Sequence, residues 1–131
     1  MGMVTFVDET TAGERRAAWG LEVVEERLTV RELIRRRVFH EVAEYNARAA
    51  TGDFRGLVQP VDTESPSDGG ASRGPREVDA ERQFEQAVVA FGRNGFLVIV
   101  GDRQLEELDA EVDVVFGARV SFLKLVPLVG G

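Results

Sequence analysis

Apolar and polar residues alternate in two segments near the start of the sequence. The first segment is 3–10, where Val4 and Phe6 alternate with Thr5 and Val7, and the second is 15–24. In the second segment every other residue is apolar: Ala17, Trp19, Leu21 and Val23. A period of two puts these side chains on one face of a strand, and the polar residues 10–14 between the segments predict a turn. The pattern predicts a hairpin with one core face.

The following segment has a helical pattern. Thr29 and Glu32 have the spacing of a capping box, in which the hydroxyl and the carboxylate each accept a hydrogen bond from a free backbone N–H. Apolar residues then recur at three- and four-residue spacing: Val30, Leu33, Ile34, Val38, Val42 and Tyr45. Polar residues expected to face water lie between them: Arg31, Arg35, Arg36, Glu41 and Glu44. We predict a helix from Thr29 to about Arg48.

Residues 51–95 differ in composition from the rest of the chain. The part 62–78 is rich in Ser, Gly, Pro and Asp, so it has little to bury and we expect a mobile insertion loop. Three apolar residues before it are expected to hold its root on the core: Phe54, Leu57 and Val58. Asp79 can cap a second helix that ends at Gly92. The apolar stripe of that helix is Phe84, Ala87, Val88 and Phe91.

The C-terminal part reads as short strands. Residues 96–100, FLVIV, are continuously apolar, which predicts a strand covered on both faces. Gly101 and Asp102 predict a tight turn into a short strand at 103–105. A loop with spaced apolar residues should then wrap against the core: Leu108, Val112 and Val114. A last strand is predicted at 119–126, ended by Pro127, and a flexible tail at 127–131.

These elements predict one α+β domain spanning residues 1–131, with the main helix over one face of a mixed sheet. The formal charge of −7 disfavours a nucleic-acid or anionic-membrane surface, so protein partners are expected. There are no cysteines, and His40 is the only histidine, so no transition-metal set is expected. The sequence begins without a signal-peptide pattern and has no run of about 18 apolar residues, which predicts a cytoplasmic protein. The acidic residues of 106–111 suit a solvated loop better than a catalytic pair, so no enzyme activity and no cofactor are expected.

The stretch FLVIVGDRQLEELDAEVDVVFGARVSFLKLVPLVGG, residues 96–131, resembles the last half of ubiquitin. In both, an apolar strand runs into a glycine, then Gln104-Leu105-Glu106, a spaced apolar loop and a final strand before Gly-Gly. The N-terminal hairpin and the TVREL helix start also resemble the ubiquitin-like family, including the small sulfur carriers of molybdopterin and thiamine biosynthesis. The resemblance covers residues 3–48 and 96–131. The departures are the insertion 51–95 and an apolar tail with Pro127, which is closer to the sulfur carriers.

The resemblance implies a ubiquitin-like β-grasp fold, in which the main helix packs on a mixed sheet, and a function carried by Gly130 and Gly131. An activating (adenylating) enzyme would adenylate the Gly131 carboxylate, and only residues without side chains let the backbone enter the narrow channel to ATP. Transfer through thioesters would then give an isopeptide with amines of target proteins. The expected partners are that enzyme, a conjugating enzyme and a metalloprotease deconjugase. The sequence is expected to be mature as written.

Two alternatives remain open from the sequence. In sulfur carriers the same adenylate becomes a thiocarboxylate, so the chain would deliver sulfide instead of modifying proteins. A β-grasp module that binds a protein partner, with an incidental diglycine, belongs to a different class. Deleting Gly131 separates the classes, because a binding module should keep its partner and a carrier should lose all activity.

Lys124, the only lysine, predicts how the last strand faces. If its side chain is solvated, alternation puts Phe122 and Val126 outward beside it. The exposed apolar patch next to the tail would then be a recognition surface for the activating or conjugating enzyme, formed by Phe122, Lys124, Val126 and Leu128. The alternative is that the second helix covers this face as extra core, through Phe84, Val88 and Phe91.

Overall fold

The computed structural model describes residues 2–15, 19–47, 56–58 and 78–125. The strands are β1 Gly2–Thr10, β2 Trp19–Val23, β3 Arg27–Thr29, β4 Phe96–Val100, β5 Arg103–Leu105, β6 Glu111–Asp113 and β7 Ala118–Lys124. The helices are α1 Val30–Ala47 and α2 Ala80–Gly92. The predicted loop 62–78, except for Val78, and the predicted tail 127–131 lie outside the described residues.

Five strands form one mixed sheet in the order β2-β1-β7-β4-β5. The first strand β1 pairs antiparallel with β2 and parallel with β7, and β4 pairs antiparallel with β7 and with β5. The predicted hairpins are confirmed, and the β4–β5 turn has Gly101 at φ 66°. The protein is therefore α+β, and the first and last strands of the described residues lie side by side in the middle of the sheet.

The helix α1 covers one face of this sheet. Its start is fixed by Thr29, whose hydroxyl oxygen accepts a hydrogen bond from the Glu32 N–H at 3.1 Å. The second half of the predicted capping box does not form, because the Glu32 carboxylate accepts from Arg36 Nε at 2.8 Å instead. All six apolar residues predicted for the buried face of the helix are buried: Val30, Leu33, Ile34, Val38, Val42 and Tyr45.

Aromatic rings form the centre of the core between α1 and the sheet. The ring of Phe122 lies 5.6 Å from that of Phe6 and 6.2 Å from that of Phe96, measured between centroids. Trp19 joins the cluster at 4.7 Å from Phe6 and stacks on His40 at 3.9 Å. The separations among the Phe and Trp rings are those of favourable aromatic pairs, and the close stacking of His40 on Trp19 connects α1 to this row.

The second helix α2 forms where predicted and packs beside α1. The Asp79 carboxylate caps it by accepting from the Glu81 N–H at 3.0 Å and from the Arg82 N–H at 3.3 Å. The Arg35 guanidinium carbon lies 4.3 Å from the Phe39 ring centroid and 5.3 Å from that of Phe84 on α2. The same guanidinium contacts Glu81 at 3.0 Å, so one α1 side chain holds α2 by charge and by stacking. Within the described ranges, neither helix is long and apolar enough to cross a membrane.

Residues 111–113 were predicted to lie in a loop, and that prediction is wrong. They form β6, which pairs antiparallel with β3 so that Leu28 lies opposite Val112. Both of these side chains are buried, at 5% exposure each. Each strand has only three residues and one buried side chain, which is too short for a period of two to be recognised.

Arg36 fixes the turn between β2 and β3 onto α1. Its Nη2 lies 2.7 Å from Glu25 Oε2, and its Nη1 donates to Glu25 Oε1 at 3.3 Å. Hydrogen bonding to Arg36 lowers the pKa of the Glu25 carboxyl, and the same interaction raises the pKa of Arg36. A carboxyl whose pKa is lower in the folded chain stabilises the fold above its unfolded pKa, and that stabilisation is lost as the pH falls through the folded pKa.

We expect the substitution Arg36→Gln to raise the pKa of Glu25 toward its ordinary value and to remove this part of the acid dependence of stability. Carboxyl chemical shifts followed by NMR during a pH titration measure the pKa. Arg27→Gln is the control, because Arg27 pairs with Glu111 at 3.6 Å on the surface and does not contact Glu25. An unchanged Glu25 pKa in Arg36→Gln would contradict the assignment.

Candidate functional site

The last strand leaves the sheet between two neighbours. Lys124 at the end of β7 lies opposite Thr10 of β1 and opposite Phe96 of β4. Its carbonyl oxygen also accepts a hydrogen bond from the Thr11 N–H at 3.0 Å. The next residue, Leu125, is 42% exposed. We call this end of β7, at Lys124 and Leu125, the tail exit.

Four of the six predicted site residues follow the tail exit. Val126, Leu128, Gly130 and Gly131 lie outside the described residues. The structure therefore describes the chain only up to Leu125. The remaining two site residues, Phe122 and Lys124, lie on the inner face of β7, which is the face covered by α1.

Phe122 was predicted to face outward, and that orientation is wrong. It is fully buried, with an exposure of 0%, between the rings of Phe6 and Phe96 on the face covered by α1. The alternative of extra core is correct for Phe122 itself, but the covering helix is chiefly α1. The second helix contributes at the edge, where the Phe91 ring lies 5.9 Å from Phe96. A buried Phe122 cannot be part of a recognition surface.

The wrong orientation followed from Lys124, which is half-buried and not fully solvated as assumed. A lysine at a strand end can lay its aliphatic stem along the core while its amine finds a polar partner. Here Nζ donates to the Gly56 carbonyl oxygen at 3.1 Å. Lys124 therefore shares the inner face with Phe122, and the only lysine of the chain holds the segment 56–58 beside the tail exit.

The segment 56–58 is held from two further sides. The Leu57 N–H donates to the Glu41 carboxylate on α1 at 2.9 Å, and Gln83 Nε2 on α2 donates to the Val58 carbonyl oxygen at 2.9 Å. Leu57 is buried, as predicted for the root of the insertion, whereas Phe54 lies outside the described residues. Side chains from β7, α1 and α2 thus fix this segment near the tail exit.

A buried cluster of charged side chains lies close to β7 and to the segment 56–58. Arg37 is 5% exposed and pairs with Asp8 through Nη2–Oδ2 at 2.5 Å and Nε–Oδ1 at 3.1 Å. It also contacts Glu41, which was predicted to face water and is instead drawn inward by Arg37. The guanidinium carbon of Arg37 lies 5.7 Å from the Phe122 ring centroid. The cluster therefore joins β1 and α1 directly beneath the final strand.

The outward face of the sheet carries a different apolar set. Because Phe96, Val98 and Phe122 face α1, alternation turns their neighbours to the opposite side. We call this set the outer patch, and it consists of Leu97, Ile99, Leu123 and Leu125. Leu97 lies directly opposite Leu123, and both are half-buried. This set lies on the face of β7 opposite to Phe122 and Lys124, so it is a different surface from the recognition surface predicted from the sequence.

A sequence signal for the correct orientation was available. In the last strand Arg119 and Ser121 alternate with Val120 and Phe122. Two polar residues against two apolar ones mark the face of Ser121 as the outward one, whereas the single Lys124 at the strand end is a weaker marker. Val120 is fully buried and Arg119 is exposed, in agreement with that pattern.

In the described ranges, no three His, Asp or Glu side chains are placed to hold a metal ion. His40 is half-exposed and stacks on Trp19, and its Nε2 lies 3.3 Å from Glu44 Oε2. At the tail exit the exposed groups are main-chain atoms and the apolar side chain of Leu125, while the Lys124 amine is hydrogen-bonded to the Gly56 carbonyl oxygen. Such a site can present a chain terminus to another protein.

The chain was compared with protein-family models, curated proteins and solved structures. No family model matches it, and neither a curated protein nor a solved structure matches it.

Proposed function

We propose that this chain is a ubiquitin-like protein modifier of the β-grasp fold, whose Gly131 carboxylate is adenylated by an activating enzyme and passed through thioesters to amines of target proteins. The chain itself is a substrate of that chemistry and supplies no catalytic residue. The chain would act in the cytoplasm, and its partners would be proteins only. A mixed five-stranded sheet packed on one long helix is compatible with the β-grasp assignment.

One observation carries the proposal. The central strand β7, paired on both sides, leads through Lys124 and the exposed Leu125 into an apolar segment that ends in Gly130-Gly131. A carboxylate that must reach ATP inside another protein needs a firm base and a terminus without side chains. The rigid β7 would provide the first, and the two glycines would provide the second.

The outer patch is proposed as part of the surface that the activating enzyme contacts. It replaces the recognition surface predicted around Phe122, because Leu123 and Leu125 face outward at the tail exit. The half-buried Leu97 and Ile99 extend it across β4. Apolar surface beside a functional terminus is a common basis for protein association.

The environment of Lys124 affects whether copies of the chain can be joined to one another. Its amine donates to the Gly56 carbonyl and is half-buried, so it is a poor acceptor for a second copy of the chain. Because it is the only lysine, isopeptide-linked polymers of the chain are not expected. The acceptor amines would belong to other proteins.

The test is mass spectrometry of tagged protein isolated from its native host under non-reducing conditions. We expect adducts in which Gly131 is joined to lysines of other proteins, and their complete loss when Gly131 is deleted or when one alanine is appended after it. The appended alanine is the sharper control, since it keeps both glycines and moves the carboxylate by one residue.

Two other results would redirect the assignment. Free chain in which sulfur replaces one carboxyl oxygen of Gly131 would identify the sulfur carrier. An unaltered carboxylate without adducts, together with partner binding that survives deletion of Gly131, would identify a binding module and refute the proposal.

A further inference from the structure

Phe116 is the most exposed large apolar side chain among the described residues, at 97% exposure. It lies in the tight turn between β6 and β7, where the Gly117 N–H donates to the Val114 carbonyl oxygen at 3.1 Å. The Asp113 carboxylate holds the same turn by accepting from the Val115 N–H at 3.0 Å. Neither inner residue of the turn has a positive φ, so the turn accepts most residue types. Neither the turn nor the core therefore explains a phenylalanine at this position.

This turn is fixed to the rest of the sheet. Val114 is fully buried, and its N–H donates to the Glu26 carbonyl oxygen at 2.9 Å. The turn also packs on the first residue of β1, because a Cβ at Gly2 would collide with the Val114 carbonyl oxygen. Opposite Gly2, β2 ends and is followed by Val24, which is 76% exposed. Phe116 is thus presented on ordered backbone, with further exposed apolar surface nearby.

We call the exposed apolar residues of these two turns the sheet tip, and they are Val24, Val115 and Phe116. Single exposed apolar residues are ordinary on a protein surface, but a group of them often marks a site of association. The sheet tip lies at the start of β7, whereas the tail exit lies at its end. Since β7 has seven residues at about 3.3 Å each, the two sites are roughly 20 Å apart. A protein bound at the sheet tip does not need to contact the C-terminal glycines.

The charges around the sheet tip are mainly negative. Of the carboxylates within two residues of it along the chain, Glu25 pairs with Arg36. The others are exposed and form no ion pair within the described ranges: Glu22, Glu26 and Asp113. The nearest bases along the chain are Arg27, which pairs with Glu111, and Arg119, which is exposed on the outward face of β7. The sheet tip is therefore apolar surface in a negative field.

This negative field decides among the possible occupants. Nucleic acids and anionic membranes are repelled by it, because they are negatively charged themselves. A second copy of the chain would bring two acidic tips together, which like charges disfavour. An apolar pocket with Lys or Arg at its rim complements both the ring and the carboxylates. Aromatic side chains inserted into a pocket of the partner are typical anchors of protein interfaces.

We infer that the sheet tip is a docking site for a second protein, whose apolar pocket takes the Phe116 ring and whose Lys or Arg side chains pair with Glu26 and Asp113. The inference goes beyond the proposed function, since this interaction needs neither the activating enzyme nor a free Gly131. In a protein modifier, the sheet tip would let a recognition protein bind the chain after its tail has been joined to a target.

The test begins with photo-crosslinking in the native host. The photoreactive amino acid p-benzoylphenylalanine replaces Phe116 in the full chain, and the matched control carries it in place of Val89, which is 53% exposed on α2. A protein that is joined at 116 and not at 89 is identified by mass spectrometry and expressed separately. Isothermal titration calorimetry then measures the Kd of that purified protein for the wild-type chain and for its variants.

We expect Phe116→Ser to raise this Kd by about tenfold or more, as for an interface anchor, and Val89→Ser to leave it unchanged. Circular dichroism melting should not distinguish Phe116→Ser from the wild type, because the ring is 97% exposed. Glu26→Gln combined with Asp113→Asn should raise the Kd by roughly threefold or more and weaken its dependence on salt. Asparagine keeps the side-chain oxygen that accepts from the Val115 N–H, so the turn is retained. Deletion of Gly131 should not change the Kd.

Several results would overturn the docking site. These are crosslinks at 116 to lipid or to a second copy of the chain, no protein joined at 116 beyond those joined at 89, and an equal Kd for the wild type and Phe116→Ser. A Kd that does not change with salt would overturn the basic rim, and binding lost on deletion of Gly131 would overturn the independence of the two sites. Absence of adducts at Gly131 would refute the proposed function and leave the docking site standing.

Discussion

Phe122→Asp is expected to unfold the protein. The substitution removes a ring that is fully buried between Phe6 and Phe96, and truncation of a buried Phe alone costs about 3–5 kcal/mol. The new carboxylate would lie in apolar surroundings, which adds several kcal/mol unless it is protonated. The total approaches or exceeds the ~5–15 kcal/mol by which such domains are stable. Circular dichroism and Trp19 fluorescence measure the loss of structure.

Leu123→Asp is the matched control for Phe122→Asp. It introduces the same group at the next residue of the same strand, but on the outward face, where Leu123 is half-buried. We expect this variant to fold and to be activated less well, because the outer patch acquires a negative charge. A folded Phe122→Asp beside an unfolded Leu123→Asp would reverse the assignment of the two faces of β7.

Arg37→Leu is expected to cost about 3–5 kcal/mol in the free energy of unfolding, the usual penalty for breaking a buried ion pair from one side. The side chain of Arg37 is 6% exposed, and those of its partners Asp8 and Glu41 are 19% and 13% exposed. Removing the guanidinium leaves two carboxylates close together without their shared cation. Urea denaturation followed by Trp19 fluorescence measures the change.

The control for this prediction is Arg31→Leu on the same helix. Arg31 pairs with Asp109 at 3.0 Å, but the two side chains are 47% and 86% exposed, so water and salt screen the pair. We expect a change of at most about 1 kcal/mol. Equal effects of the two substitutions would show that Arg37 acts only through the general properties of an arginine on this helix.

The regular elements could be predicted because their patterns are long. Eighteen residues of α1 repeat the same apolar spacing, and all of the predicted core positions are buried. The cap at Asp79 and the turn at Gly101 follow from local chemistry, which tertiary packing reinforces here. The three-residue strands β3 and β6 could not be predicted, since each is defined by its partner and not by its own sequence.

Which face of β7 points to the core was harder to predict, because the prediction depended on Lys124, whose ammonium group has two ways to find polar partners. Lys124 can reach water, or it can reach a carbonyl oxygen while its stem stays on the core side, and the second is what occurs. The carbonyl belongs to Gly56, 68 residues away, so no local pattern contains it. Glu41 was misjudged for the same reason, since Arg37 and the Leu57 N–H that hold it are tertiary partners.

The parallel pairing of β1 with β7 also determines when this protein can fold. The two strands occupy the middle of the sheet, yet they are separated by nearly the whole described chain. Contacts between such distant residues form slowly, because the loop between them must close first. During synthesis the sheet cannot be completed until β7 has left the ribosome. Until then, the edges of β1 and β4 that pair with β7 in the folded protein have no partner strand. A nascent chain that lacks its last strand is therefore an aggregation-prone half-sheet.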